Sequence, residues 1–319
     1  MSVAIVGLLV LLPIALAVVV AVVVIALAHR PSRRERDATP SSALVAARRH
    51  ARGIDALAWV GLVAALVGIQ TLTPALTSGL GTGVLIGLTP TLAGATFLAV
   101  QSLGELTWPR PSGSVRRAPL TPRTVRTIAP VGLRRLTWAW AGGLALTLVA
   151  CGLAPGNGRT IERVWDASSS SAAGPFPGWF FGAPLLAATA AVVVATETVL
   201  RLVARRPVVV DTAPADDLAL RTLSSLRVLR GTGLVLAWTL AGVLIVAGSA
   251  LRNVGTIEVD GVARSSVGLV AGGTSLLLLG IAVALAGPVT ILLTAVARPA
   301  QGAMAAARVP RTTSGPVGS

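Results

Sequence analysis

His29 and His50 are the only histidines of this 319-residue chain, and Cys151 is its only cysteine. Structural zinc takes four nitrogen or sulfur ligands at close spacing, and two histidines among arginines, with no cysteine beside them, do not make such a set. A single cysteine excludes an internal disulfide, and Cys151, inside an apolar stretch, reads as a small packing residue. The 27 basic residues are all Arg, so neither a P-loop lysine nor a Schiff-base lysine exists. No HExxH and no GxSxG occurs. Glu197 comes nearest to an intramembrane acid, and Arg201, one turn on, is its expected partner. No charge sits in the middle of an apolar segment, where one would cost at least ~2.5 kcal/mol and point to coupled ion transport. The expectation is a protein that is not an enzyme, with no cofactor and no metal.

Two other constellations are candidates for binding. "NGRTIE" at 157–162 and "NVGTIE" at 253–258 share four of six letters, which offers Asn157, Glu162, Asn253 and Glu258 as polar groups on one face. In "SGLGTGVLIGLTPTLAGATF", Gly79, Gly83 and Gly87 recur every four residues ahead of Thr89, Pro90 and Thr91. Glycines at that spacing allow close helix approach. Pro90 frees a carbonyl that Thr hydroxyls or water must satisfy, and interrupted helices line the sites of some transporters.

The elements that would carry these residues follow from composition. With 54% hydrophobic and 12% charged residues and a mean hydropathy of +0.80, the chain lacks the polar surface of a soluble globule this size. A membrane-spanning helix needs roughly 20 apolar residues. Seven stretches qualify, at about 3–28, 56–73, 79–103, 136–154, 178–203, 232–251 and 267–297. No charge precedes residue 29 and the first apolar run is long, so it reads as a permanent helix rather than a cleaved signal. Gly287-Pro288 is expected to break the last run.

Charge orients the stack. Alternate connections carry 23 Arg against 8 acids on one side and 4 against 4 on the other, which puts the whole formal charge of +15 on one face. The positive-inside rule makes that face cytoplasmic, with the N-terminus outside and the C-terminus inside. Arginines spread over juxtamembrane stretches suit anionic headgroups rather than nucleic acid.

Recurring markers divide the chain further. Thr39-Pro40, Thr121-Pro122 and "TAP" at 212–214 open three approaches; Leu-x-Trp follows at 57–59, 136–138 and 236–238; Arg-Pro closes at 110–111, 206–207 and 298–299. Their shared order predicts a leading helix (1–30), three parallel two-helix hairpin repeats (39–111, 121–207, 212–299) and a disordered cytoplasmic tail (300–319). Trp59, Trp138 and Trp238 are expected as inner interface anchors, and Phe176, Trp179, Phe180 and Phe181 as an outer belt. Leu220, Leu223, Leu226 and Leu229 predict a separate helix lying on the inner membrane surface, with docking of a cytosolic partner as the alternative. The two T-I-E segments, 159–165 and 255–263, are expected to pair into one small extracytoplasmic β element, with a turn at Asp260-Gly261 and the two Glu offset by nearby Arg.

The stretches "GELTWPRPSGSVRRAPLTPRTV" at 104–125 and "LRTLSSLRVLRG" at 220–231 resemble segments of uncharacterised actinobacterial multipass membrane proteins. The resemblance implies a bacterial plasma membrane and carries no activity. The fold class expected is therefore an all-α polytopic membrane protein with a small β element. Three functions stay open: an accessory or permease-like subunit of a larger assembly, with a membrane or ATPase partner; a self-sufficient transporter or channel for neutral or apolar solutes; and, least favoured, a membrane enzyme.

Overall fold

A computed structural model describes residues 41–108, 124–208, 214–259 and 261–296, with five isolated positions between 18 and 26. The predicted leading helix, the tail and the stretch around Arg110-Pro111 lie outside the described residues. The element order is α1 (Ser42–Leu76), α2 (Leu80–Leu106), the single turn α3 (Val125–Ile128), α4 (Val131–Gly152), β1 (Ile161–Val164), β2 (Ser170–Ala173), α5 (Trp179–Arg205), α6 (Pro214–Val254), β3 (Thr256–Val259), β4 (Val262–Ser265) and α7 (Val267–Val296). Five of these helices, α1, α2, α5, α6 and α7, are long and apolar enough to cross a membrane. The described chain is thus a mostly helical bundle with two small two-stranded sheets, whose helices have the length and composition of membrane spans.

α6 is the axis. Of its most apolar window 72% is buried, against 17% for α7, and it packs on α7, α4, α2 and α5. Small residues set its closest approaches. A Cβ on Gly248 would lie 2.6 Å from the Gly273 carbonyl oxygen, and one on Gly231 2.3 Å from the Phe97 ring. Around this axis Trp59, Leu62, Phe97, Leu144, Leu148, Leu200, Leu234 and Leu236 form the core, with the Trp59 and Phe97 rings edge to face at 5.3 Å.

Several expectations are corrected here. The surface helix does not exist as a separate element, because α6 runs unbroken from Pro214 to Val254 and buries Leu220, Leu226 and Leu229. Likewise α1 starts at Ser42, well before the expected 56. In both cases polar residues that seemed to lie outside the span pair inside the bundle, Asp55 with Arg227 and Asp217 with Arg221. Neither Pro90 nor Pro288 interrupts its helix. Trp59 and Trp238 are buried rather than interfacial, the latter with Nε1 donating to the Ala284 carbonyl at 3.2 Å; Trp138, 49% exposed, alone of the three faces outward. Of the outer belt, Phe176 and Phe181 are buried and Trp179 is exposed.

The T-I-E segments do not pair with each other. β1 pairs with β2, Glu162 opposite Ala172, and β3 pairs with β4, Glu258 opposite Ala263. Each segment has a nearer antiparallel partner across a tight turn, and local closure costs less chain entropy than pairing across 90-odd residues. The β3–β4 turn includes Gly261 at φ 74, a conformation glycine adopts without strain.

Candidate functional sites at the two ends of the bundle

Most of the residues singled out in the sequence make bonds within their own segment. Asn157 Oδ1 accepts from the backbone N–H groups of Arg159 and Thr160, each at 3.0 Å, and from Thr160 Oγ1, so it holds the turn into β1. Asn253 lies in the last turn of α6, and its carbonyl accepts from Thr256 Oγ1 at 3.2 Å. Glu162 accepts from Thr160 Oγ1 at 3.3 Å; Glu258 is exposed on β3. The expected Arg neighbours are engaged elsewhere. Arg159 lies over the Phe180 ring, Arg163 over Trp165, and Arg264 Nη1 donates to Asp166 Oδ2 at 3.0 Å. Thr89 and Thr91 are buried and return their hydroxyls to the Leu85 and Leu88 carbonyls of their own helix. A Cβ on Gly83 or Gly87 would meet the Phe181 or Leu185 side chain of α5, and one on Gly79 would meet nothing.

The two hairpins are nevertheless joined. Trp165 Nε1 donates to Ser171 Oγ, which donates to the Val254 carbonyl at the end of α6, both at 2.8 Å. The Arg264–Asp166 pair links the two sheets directly. Hydrogen bonds from Ser169 and Ser168 hold the Asp166 carboxyl well below the usual carboxylate range.

The opposite, Arg-rich end carries a buried ionic layer. Arg221, 1% exposed, donates Nε to Asp217 Oδ2 at 2.9 Å, Nη1 to the Val203 and Ala204 carbonyls at 2.7 and 3.0 Å, and Nη2 to the Arg206 carbonyl at 2.8 Å. One guanidinium thereby caps the last turn of α5, where orphan carbonyls and the helix dipole favour a cation. Arg206 Nη1 reaches Glu105 at 3.3 Å and Ser224 Oγ at 3.1 Å, while its guanidinium lies 3.8 Å from the Trp108 ring centre. Burial pushes the Arg206 guanidinium down from its ordinary value, and Glu105 opposes the shift. Arg227 bridges to α1, with Nη1 on the Ala51 carbonyl at 3.1 Å and Nε 3.3 Å from Asp55. His50 Nε2 lies 3.0 Å from the Gly104 carbonyl, with its ring edge-on to Trp108. The layer ties α1, α2, α5 and α6 together.

A second polar feature at this end faces outward. Glu197 does not pair with Arg201. It takes a two-pronged bond from Arg134 of α4, Nε to Oε1 at 3.1 Å and Nη2 to Oε2 at 3.0 Å, with Trp138 Nε1 donating to Oε1 at 3.2 Å. The planar guanidinium matches the carboxylate better from a neighbouring helix than Arg201 does along the same one. Beside the pair is a shallow cleft between α4 and α5 lined by Thr137, Trp138, Val193, Thr196 and Leu229. Among the described residues no cluster of His, Cys, Asp and Glu suits a metal ion.

The ionic layer was missed because a lone stretch of Arg near an apolar run reads as a snorkelling cap. The available signal was the small-residue content of "LRTLSSLRVLRG": Ser224, Ser225 and Gly231 between leucines mark a helix packed on several sides. Compared with protein-family models, with curated proteins and with solved structures, the chain finds no match.

Proposed function

We propose that the chain is an integral protein of a bacterial plasma membrane, threaded with its Arg-rich end in the cytoplasm, and that it serves as a non-enzymatic, permease-like or accessory subunit of a larger membrane assembly. One contrast carries this reading. The interior is filled by the α6 core and the ionic layer, while α7, apolar all round, is buried over only 17% of its span. A helix that is apolar on every side belongs against lipid or a partner helix, and a filled interior favours a fixed scaffold over a solute path. The extended, charge-locked cytoplasmic ends of α1 and α6 supply a rigid platform of the kind an ATPase subunit can grip.

Gentle extraction with the surrounding lipid, followed by quantitative mass spectrometry, tests the proposal. The expected result is an integral or ATPase partner at fixed stoichiometry, retained through size exclusion and lost when α7 is altered on its exposed face at Leu278 and Leu285. A chain that purifies alone and monomeric overturns it.

A further inference from the structure

The arginines of the Arg-rich end fall into two populations. Arg206, Arg221, Arg227 and Arg230 are buried, and Asp217, Glu105 and Asp55 face them inside the bundle. At the corner formed by α3, the start of α4 and the end of α5, the arrangement is different. Arg126, Arg135, Arg201 and Arg205 are exposed. Ile128 of α3 packs on Val203 and Ala204 of α5, and Arg134 of α4 reaches Glu197 of α5, so the three elements adjoin. Glu197 is taken by Arg134, and Asp217, near the end of α5, is taken by buried Arg221. Four guanidinia are left at this corner with no acid partner among the described residues.

Next to this excess of charge lies the cleft between α4 and α5. Trp138 is one turn deeper into the bundle than Arg134, its ring half exposed and its N–H tied to Glu197. Val193, half-buried, adds apolar surface, and buried Leu229 of α6 forms the floor of the cleft. A cationic rim above an apolar, aromatic-edged groove is complementary to an amphiphile with an anionic head. A free inorganic anion would use only the rim.

We propose that this corner is a binding site for an anionic phospholipid, its headgroup phosphate held by Arg135, Arg201 and Arg205 with Arg126 alongside, and its first acyl segment lying in the α4–α5 cleft against Trp138. The Arg134–Glu197 pair positions Trp138 and leaves the rim charges to the ligand. The site rests on the membrane reading above but not on the subunit role, because a defined bilayer contains no partner protein.

The test uses the full chain in nanodiscs of phosphatidylcholine with a fixed fraction of phosphatidylglycerol of the same acyl chains, and native mass spectrometry counts the lipids retained on release. Phosphatidylglycerol is expected to be retained in preference to phosphatidylcholine. The double variant R201Q/R205Q should weaken that retention about tenfold or more, since each surface guanidinium contributes on the order of 1 kcal/mol toward anionic headgroups. R201K/R205K should keep most of it, which separates lost charge from lost fold. R49Q/R252Q removes two exposed guanidinia elsewhere and should leave it unchanged. Equal losses in R201Q/R205Q and R49Q/R252Q, equal retention of both lipids, or displacement by inorganic phosphate at matched ionic strength would each overturn the site.

Discussion

Arg221 shows at the scale of one residue how this chain uses charge. Its five donors are spent on Asp217 and on three carbonyls at the end of α5, so a single side chain closes a helix end and fastens α5 to α6. A lysine has neither the reach of a planar fork nor the donors to serve four acceptors in that geometry. Removing one partner of a buried pair leaves the other uncompensated and costs about 3–5 kcal/mol. R221A should therefore lower stability by that order, with R221K recovering only part of it. D217N should cost less, because Arg221 keeps its three carbonyl acceptors. Thermal unfolding of the detergent-purified variants, followed by tryptophan fluorescence, checks the ranking. D217N proving as damaging as R221A would mean that the ion pair, and not the helix cap, is the main contribution.

At the scale of elements, α6 and α7 meet through glycine. The Cβ positions of Gly248 and Gly273 each fall 2.6 Å from the other's carbonyl oxygen, and a Cβ on Gly280 would lie 3.0 Å from the Ala241 oxygen. Without a hydrophobic driving force between helices in lipid, such close approach is what associates them. G248V should push the helices apart and destabilise by about 1–3 kcal/mol, the usual cost of overpacking. G272A, whose added methyl meets nothing within 4 Å, should be neutral or stabilising by up to ~1 kcal/mol through helix propensity. Mild proteolysis of the β3–β4 connection reads out the separation. The same elements show what the sequence made legible. The bounds of α2, α5 and α7 lie within about three residues of expectation, because each is an uninterrupted apolar run closed by Gly79, by Gly178 or by charge. α1 and α6 were read short, since His50, Asp55, Arg221 and Arg227 resemble surface until their partners on other helices are known. The hairpin turn at Asp260-Gly261 was legible, and β3 pairs with β4 across it; the partner of β1 was not, because β propensity carries no information on pairing between separate segments. The repeated hexapeptide begins as a turn in one copy and as a helix end in the other, and in both its Ile-Glu lies in a strand.

Across the whole molecule the two ends differ in kind. One is stapled by guanidinia buried among carboxylates and carbonyls; the other is closed by two small hairpins joined by the exposed Arg264–Asp166 ion pair. The positive-inside argument weighs arginines by loop; four of those it counts are buried, and the exposed set at the α3–α4–α5 corner lies at the same end as them. The threading is tested by accessibility. Ser170, exposed on β2, and Ala215, exposed in the first turn of α6, stand at opposite ends of the bundle, whereas Ser224, only 4% exposed, is too enclosed to report. In a Cys151→Ala background, which removes the one native thiol, S170C should react with an impermeant maleimide in intact cells, and A215C should react only after the membrane is opened. Protection of S170C together with labelling of A215C would invert the topology, place the arginine corner outside, and remove the basis for a cytoplasmic partner at the α1–α6 platform.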